Sequence, residues 1–85
     1  MIYTREIAAS VIKYLLDRGV KVTLFGSVAT IGFSTNDMDF LLDNPYDMTI
    51  IITIPAKEVI FTDWNGVFLR DTEFGNLDFF PSIPR

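Results

Sequence analysis

Ile7, Ala8, Val11, Ile12, Leu15 and Leu16 recur every three to four positions, so a single helical stripe carries them all. Glu6, Lys13 and Asp17 fall largely on the opposite side. Thr4 supplies an N-cap hydroxyl, and Gly19 supplies the left-handed residue that closes a helix. The pattern predicts a helix from Thr4 to Gly19. Downstream the period changes. Val20 to Phe25 alternates and then runs apolar, as in a strand entering a core, until Gly26-Ser27 breaks it. Val28 to Ile31 predicts a short helical turn before Gly32 and the polar run Ser34-Thr35-Asn36. Met38 to Leu42 reads as a second strand, stopped by Asp43-Asn44-Pro45. Met48 to Ile54, with four Ile and two Thr, gives the strongest strand signal of the chain and ends at Pro55. Glu58 to Thr62 and Val67 to Arg70 flank Asp63-Trp64-Asn65-Gly66, whose Asn-Gly predicts a hairpin turn with two positive φ angles. Leu77 to Phe80 is a last short strand before Pro81.

One helix, two strands joined by a glycine-broken turn and an antiparallel meander define an α+β class. The expected architecture is one mixed, mostly antiparallel sheet with a long N-terminal helix packed on one face. With 85 residues the chain is read as a single domain, residues 1–85. Only Val28–Ile31 offers a second helical piece, which leaves the other sheet face thinly covered and points to a protein partner or a homodimer. Met38 and Phe40 are expected in the core. The chain holds no cysteine and no histidine, which excludes a disulfide scaffold, a zinc ribbon, a thiol nucleophile and a Ser-His-Asp triad.

Seven Lys plus Arg stand against eleven Asp plus Glu, a net charge of −4. A module that binds duplex nucleic acid carries a basic stripe, and this chain has none. A phosphate-bearing ligand would therefore need divalent metal between it and the acidic side chains. The longest apolar stretch, Met48 to Pro55, is too short to span a bilayer. The first residues lack the charged and then apolar segments of a secretion signal, so the cytoplasm is the expected compartment.

Asp37 and Asp39 flank Met38 at the start of a predicted strand. Residues i and i+2 of a strand share a face, so the two carboxylates project together. Carboxylates held that close repel unless a cation compensates, and an oxygen-only donor set selects a hard ion, Mg2+ or Mn2+. Asp78, in Leu77-Asp78-Phe79, repeats the apolar-Asp-apolar pattern and joins them if its strand lies beside Met38–Leu42. The competing reading makes Asp37 a turn cap, Asp39 a solvated residue and Asp78 an edge-strand residue. Upstream, Gly26-Ser27 ends a strand with two small residues whose backbone N–H groups and hydroxyl face a following helical turn, an arrangement that suits a phosphate.

Gly26-Ser27, nine intervening residues and Asp37-Met38-Asp39-Phe40 together resemble the signature of the DNA polymerase beta-like nucleotidyltransferase superfamily. Phe25 precedes the glycine and Phe40 follows the second aspartate, as the signature asks, and the chain is similar above all to the minimal nucleotidyltransferases. That resemblance implies a Mg2+- or Mn2+-dependent transfer of a nucleoside monophosphate from a nucleoside triphosphate to an acceptor. Asp37, Asp39 and Asp78 would be the catalytic and metal-binding carboxylates, with Asp63 and Asp71 as weaker matches for the third. Gly26 and Ser27 would hold the β and γ phosphates. The resemblance implies that the acceptor can be a partner protein, as in the two-component toxin–antitoxin modules of the minimal family. The chain departs from the family in three places. Val28-Ala29-Thr30-Ile31 stands where many members carry an Arg, and no Lys or Arg lies between Lys21 and Lys57. Asn44–Asp47 leaves no room for the helix usually inserted after the second strand. These departures keep open the alternative of a non-catalytic interaction protein on a degenerate nucleotidyltransferase fold, acting through its exposed sheet or acidic surface. Trp64, at the hairpin tip, is read as a base-stacking platform, a partner contact or a ring folded back on the core.

Overall fold

Thr4 takes the N-cap position in extended conformation, and its hydroxyl accepts a hydrogen bond from Ile7 N. This satisfies an amide that the first helical turn leaves free. Helix α1 runs from Arg5 to Leu16, 12 residues, and buries Ala8, Val11 and Leu15. It stops three residues short of Gly19. The chain reverses through Asp17–Gly19, where Gly19 adopts φ +80° and Val20 N donates to Leu15 O. The structure is a computed structural model and describes residues 1–81.

Strand β2 (Val22–Phe25) leads into helix α2 (Gly26–Ile31), which closes on a left-handed Gly32. A two-residue strand β3 (Phe33–Ser34) pairs antiparallel with β1 (Tyr3–Thr4), a small ladder too short to announce itself by periodicity. Strand β4 is Met38–Leu42, with the bounds its pattern predicts. Strands β5 (Glu58–Phe61), β6 (Val67–Thr72) and β7 (Gly75–Phe80) complete a five-stranded sheet of order β2-β4-β7-β6-β5. Its β4–β7 pair is parallel and the other neighbours are antiparallel. The fold is α+β with a mixed sheet, as the pattern indicates, and the N-terminal helix has about three turns. No helix among the described residues is long and apolar enough to cross a membrane.

The segment read as the strongest strand is helical. Asn44 Oδ1 accepts from Tyr46 N, Pro45 opens a 3-10 turn (Pro45–Asp47), and helix α3 follows (Met48–Ile51). An unbroken Ile run has no period of two, and its flanks decide. Asn before Pro is a helix start, because proline tolerates the first helical position and Asn caps it. Met48, Ile51 and Ile54 then fall three apart, and Ile51 and Ile54 are buried. A helical segment therefore does follow β4, where Asn44–Asp47 was expected to exclude one. The hairpin turn also differs. Asn65 alone takes positive φ (64°), while Gly66 N donates to Thr62 Oγ1 at 2.8 Å, which closes a longer loop.

Alternation divides the sheet. Met38, Phe40 and Leu42 of β4, Val67 and Leu69 of β6, and Leu77 and Phe79 of β7 face the helices and are fully buried. Phe40 and Phe79, neighbours across the parallel pair, stack at 5.6 Å. The opposite face carries Phe25, Asp39, Leu41, Phe68, Arg70 and Phe80, all half-buried, together with Asp78. Trp64 folds back onto this face: its ring lies parallel to Phe80 at 4.8 Å, and Phe25 and Phe68 meet Phe80 edge-on.

Candidate metal centre

Register builds the centre. In antiparallel β2–β4, Phe25 sits opposite Asp39; in parallel β4–β7, Asp39 sits beside Asp78; in β6–β7, Asp78 faces Phe68. One row across the open face therefore reads Phe25, Asp39, Asp78, Phe68. Asp37, two residues before Asp39, precedes the strand. Its amide and that of Asn36 donate to Ser34 Oγ, and Asn36 O accepts from Asn76 Nδ2 of β7. These bonds bend the approach so that the Asp37 side chain joins the row. One carboxylate oxygen from each of Asp37, Asp39 and Asp78 lies within 4.8 Å of the others. Asp78 belongs to the central strand of the sheet, not to an edge. Asp63 and Asp71, the weaker candidates, are exposed and stand outside the group.

Gly26 is the second element that shapes the centre. Its φ is +75°, and a Cβ there would collide with the Asp39 carboxylate and crowd Asp39 Cγ and Cβ. Only glycine combines that backbone angle with that approach. Ser27 is exposed on the first turn of α2, next to this contact. Arg5 braces α2 from α1, its guanidinium donating to Val28 O and Ala29 O.

The structure adds a residue that sequence reasoning missed. Arg70 Nη1 donates to Asp78 Oδ1 at 2.6 Å, a charge-assisted bond beside the Phe68 ring. The cation absent between Lys21 and Lys57 thus arrives from β6. A bulge between Leu69 and Thr72, with Asp71 at φ 56°, interrupts the ladder just beyond it.

Burial, together with the nearby Asp37 charge, raises the Asp39 pKa from 3.8 to about 6, against the pull of Arg70. Asp78 is also pushed up. Burial is the main cause, the Arg70 hydrogen bond opposes it, and Asp37 adds to it. The ion pair at 2.6 Å favours the charged form of Asp78, but burial and the second carboxylate outweigh it. A raised acid pKa means that the folded chain binds protons the unfolded chain has lost, so these groups withdraw stability as pH rises from about 4 through 6 for Asp39 and about 7 for Asp78. A bound cation reverses that effect, because its ligands must be ionised. The rise in melting temperature caused by Mn2+ is accordingly expected to be small at pH 5 and to grow between pH 5.5 and 7.5, as read by scanning fluorimetry at fixed metal concentration. A shift independent of pH would contradict these carboxylates as the ligands.

The donor set is oxygen only, from three carboxylates, which suits a hard divalent cation. A groove of about 430 Å3 between α3 and the β5–β6 hairpin, lined by Tyr46, Ile52 and Phe61 among others, includes none of these three residues. The centre belongs to the open sheet face. Compared with family models, curated protein sequences and solved structures, the chain matches none.

Proposed function

We propose that the chain is a Mg2+-dependent nucleotidyltransferase that moves a nucleoside monophosphate from a nucleoside triphosphate to an acceptor hydroxyl. The observation that supports this most is the meeting of Asp37, Asp39 and Asp78 within 4.8 Å, with Gly26 pressed against Asp39. Two segments far apart in sequence thus converge on the arrangement that the Gly-Ser…Asp-x-Asp resemblance implies. Asp37, Asp39 and Asp78 would hold the cations, Mn2+ being the natural substitute for Mg2+. Bound there, the ions supply positive charge that neutralises the attacking and departing oxygens of an in-line displacement. The acceptor oxygen attacks the α-phosphorus, the bond to the bridging oxygen breaks, and pyrophosphate leaves. The hydroxyl proton passes to a carboxylate of the cluster, for which the raised pKa values of Asp39 and Asp78 are suited. The Gly26 and Ser27 amides and the Ser27 hydroxyl would face the outer phosphates. The acceptor is proposed to be a partner protein, following the resemblance.

The test is a melting curve with each nucleoside triphosphate in Mg2+ or Mn2+. Saturation at about 100 times Kd stabilises a protein by about 2.7 kcal/mol, which for a chain of this length is a shift of roughly 10–20 °C. An Asp37→Asn/Asp39→Asn double variant is expected to lose the shift. Incubation with α-labelled triphosphate and extract is then expected to label one acceptor. Unmoved melting curves with all triphosphates and both metals would sink the enzyme.

A second reading draws on the open face. Phe25, Trp64, Phe68 and Phe80 form an aromatic cluster beside the carboxylates, and Trp64 is 47% exposed. A degenerate domain that binds a protein partner or a second copy of itself would use these rings. Its binding would depend on Trp64 and not on metal, whereas the transferase requires the reverse.

A further inference from the structure

We propose that Arg70 and the divalent cation contend for Asp78, so that Arg70 occupies the carboxylate in the metal-free protein and, once displaced, turns its guanidinium to the triphosphate. This rests on the transferase reading and adds to it a phosphate-binding residue that the Gly-Ser segment lacks.

The other described cations in hydrogen-bond or ring contact are engaged away from the centre. Arg5 bonds the α2 carbonyls, Lys13 pairs with Asp17, and Arg18 lies over the Tyr14 ring. Arg70 is the described cation paired with a member of the carboxylate cluster. It takes Oδ1 of Asp78, and carboxylate oxygens of Asp37 and Asp78 lie within 4.8 Å of each other. A cation gathered by all three aspartates lies against the same carboxyl group that Arg70 now engages, and it repels a guanidinium at that range.

The charges agree with an exchange. Three ionised aspartates carry three negative charges, which the two divalent ions of an in-line displacement more than cancel. The Arg70 charge is then surplus at the centre and available to an anion beside it. A guanidinium offers a planar fork that fits two phosphate oxygens, and Arg70 stands one strand from Asp78 with its guanidinium carbon 5.2 Å from the Phe68 ring centroid. Nothing in Phe25–Phe40 supplies such a group, since that segment holds no Lys or Arg.

The competition gives opposite signs for two ligands, which a purely supporting role for Arg70 does not. Mn2+ binding without nucleotide, followed by electron paramagnetic resonance, is compared in the wild type, Arg70→Gln and Arg70→Lys. Arg70→Gln is expected to bind Mn2+ about tenfold more tightly and, at saturating Mn2+, to bind ATP about tenfold more weakly. Arg70→Lys keeps the charge without the fork, so its Mn2+ affinity should stay near the wild-type value while its ATP affinity falls; it carries the comparison if the Gln variant does not fold. Mn2+ binding that weakens or stays unchanged in Arg70→Gln, with wild-type binding intact, would overturn the competition and leave Arg70 as a support for Asp78. Absence of Mn2+ binding in all three proteins would instead end the metal reading itself.

Discussion

Asp39→Asn is expected to destroy metal-dependent transfer and at the same time to make the metal-free protein harder to melt. The loss of transfer should be about 10³-fold or more, because a carboxylate that faces both neighbours is removed from the cation site. The gain in stability follows from the same placement. Asp39 ionises beside Asp37 and Asp78 under partial burial, and that charge opposes folding near neutral pH. An amide of equal shape removes the repulsion and offers a donor to either neighbour. Relief of strain at a functional site is commonly worth about 0.5–2 kcal/mol, or ~4–8 °C per kcal/mol in a domain of this size. The two measurements are a transfer assay with labelled triphosphate and melting at pH 7.5 without metal. A variant that melts lower than the wild type would mean that Asp39 serves the fold, and the metal centre would lose its principal support.

The second large effect is expected at Gly26. Gly26→Ala meets two penalties: a side chain at φ +75°, and a Cβ that collides with the Asp39 carboxylate. The backbone penalty alone is about 1–2 kcal/mol. The collision adds to it and turns Asp39 away from Asp37 and Asp78, so Mn2+ affinity should fall by at least about tenfold. Gly19→Ala is the matched control. Gly19 also has positive φ (+80°), but a Cβ there meets nothing within 4 Å. Its variant should lose comparable backbone stability and keep full Mn2+ affinity. If the two variants bind Mn2+ equally well, the contact between Gly26 and Asp39 has no bearing on the site.

Comparison of particular residues shows which parts of this arrangement were open to sequence reasoning. Asp37 and Asp39 could be placed together because strand alternation is a local rule that β4 obeys residue by residue. The left-handed Gly19 was legible because it follows a helix of clear periodicity, whereas Gly26 could be read only as the break after β2; its positive φ comes from the structure. Asp78 was a conditional match, since its partnership depends on β7 inserting between β4 and β6, a choice made by tertiary packing. Arg70 was invisible for the same cause. Its alternation with Leu69 assigns it a face, but only the strand order and the β6 register bring that face to Asp78. The Ile-rich segment misled because β-branched residues advertise a strand, while Asn44-Pro45 and burial three residues apart favour a helix.

Anomalous diffraction from crystals grown with Mn2+ and a non-hydrolysable triphosphate examines the main claim most directly. The expected result is a Mn2+ peak at ~2.1 Å from oxygens of Asp37, Asp39 and Asp78, with the phosphates on the Gly26–Ser27 side and Arg70 detached from Asp78. An empty centre at millimolar metal, with Arg70 still bonded to Asp78, would contradict it.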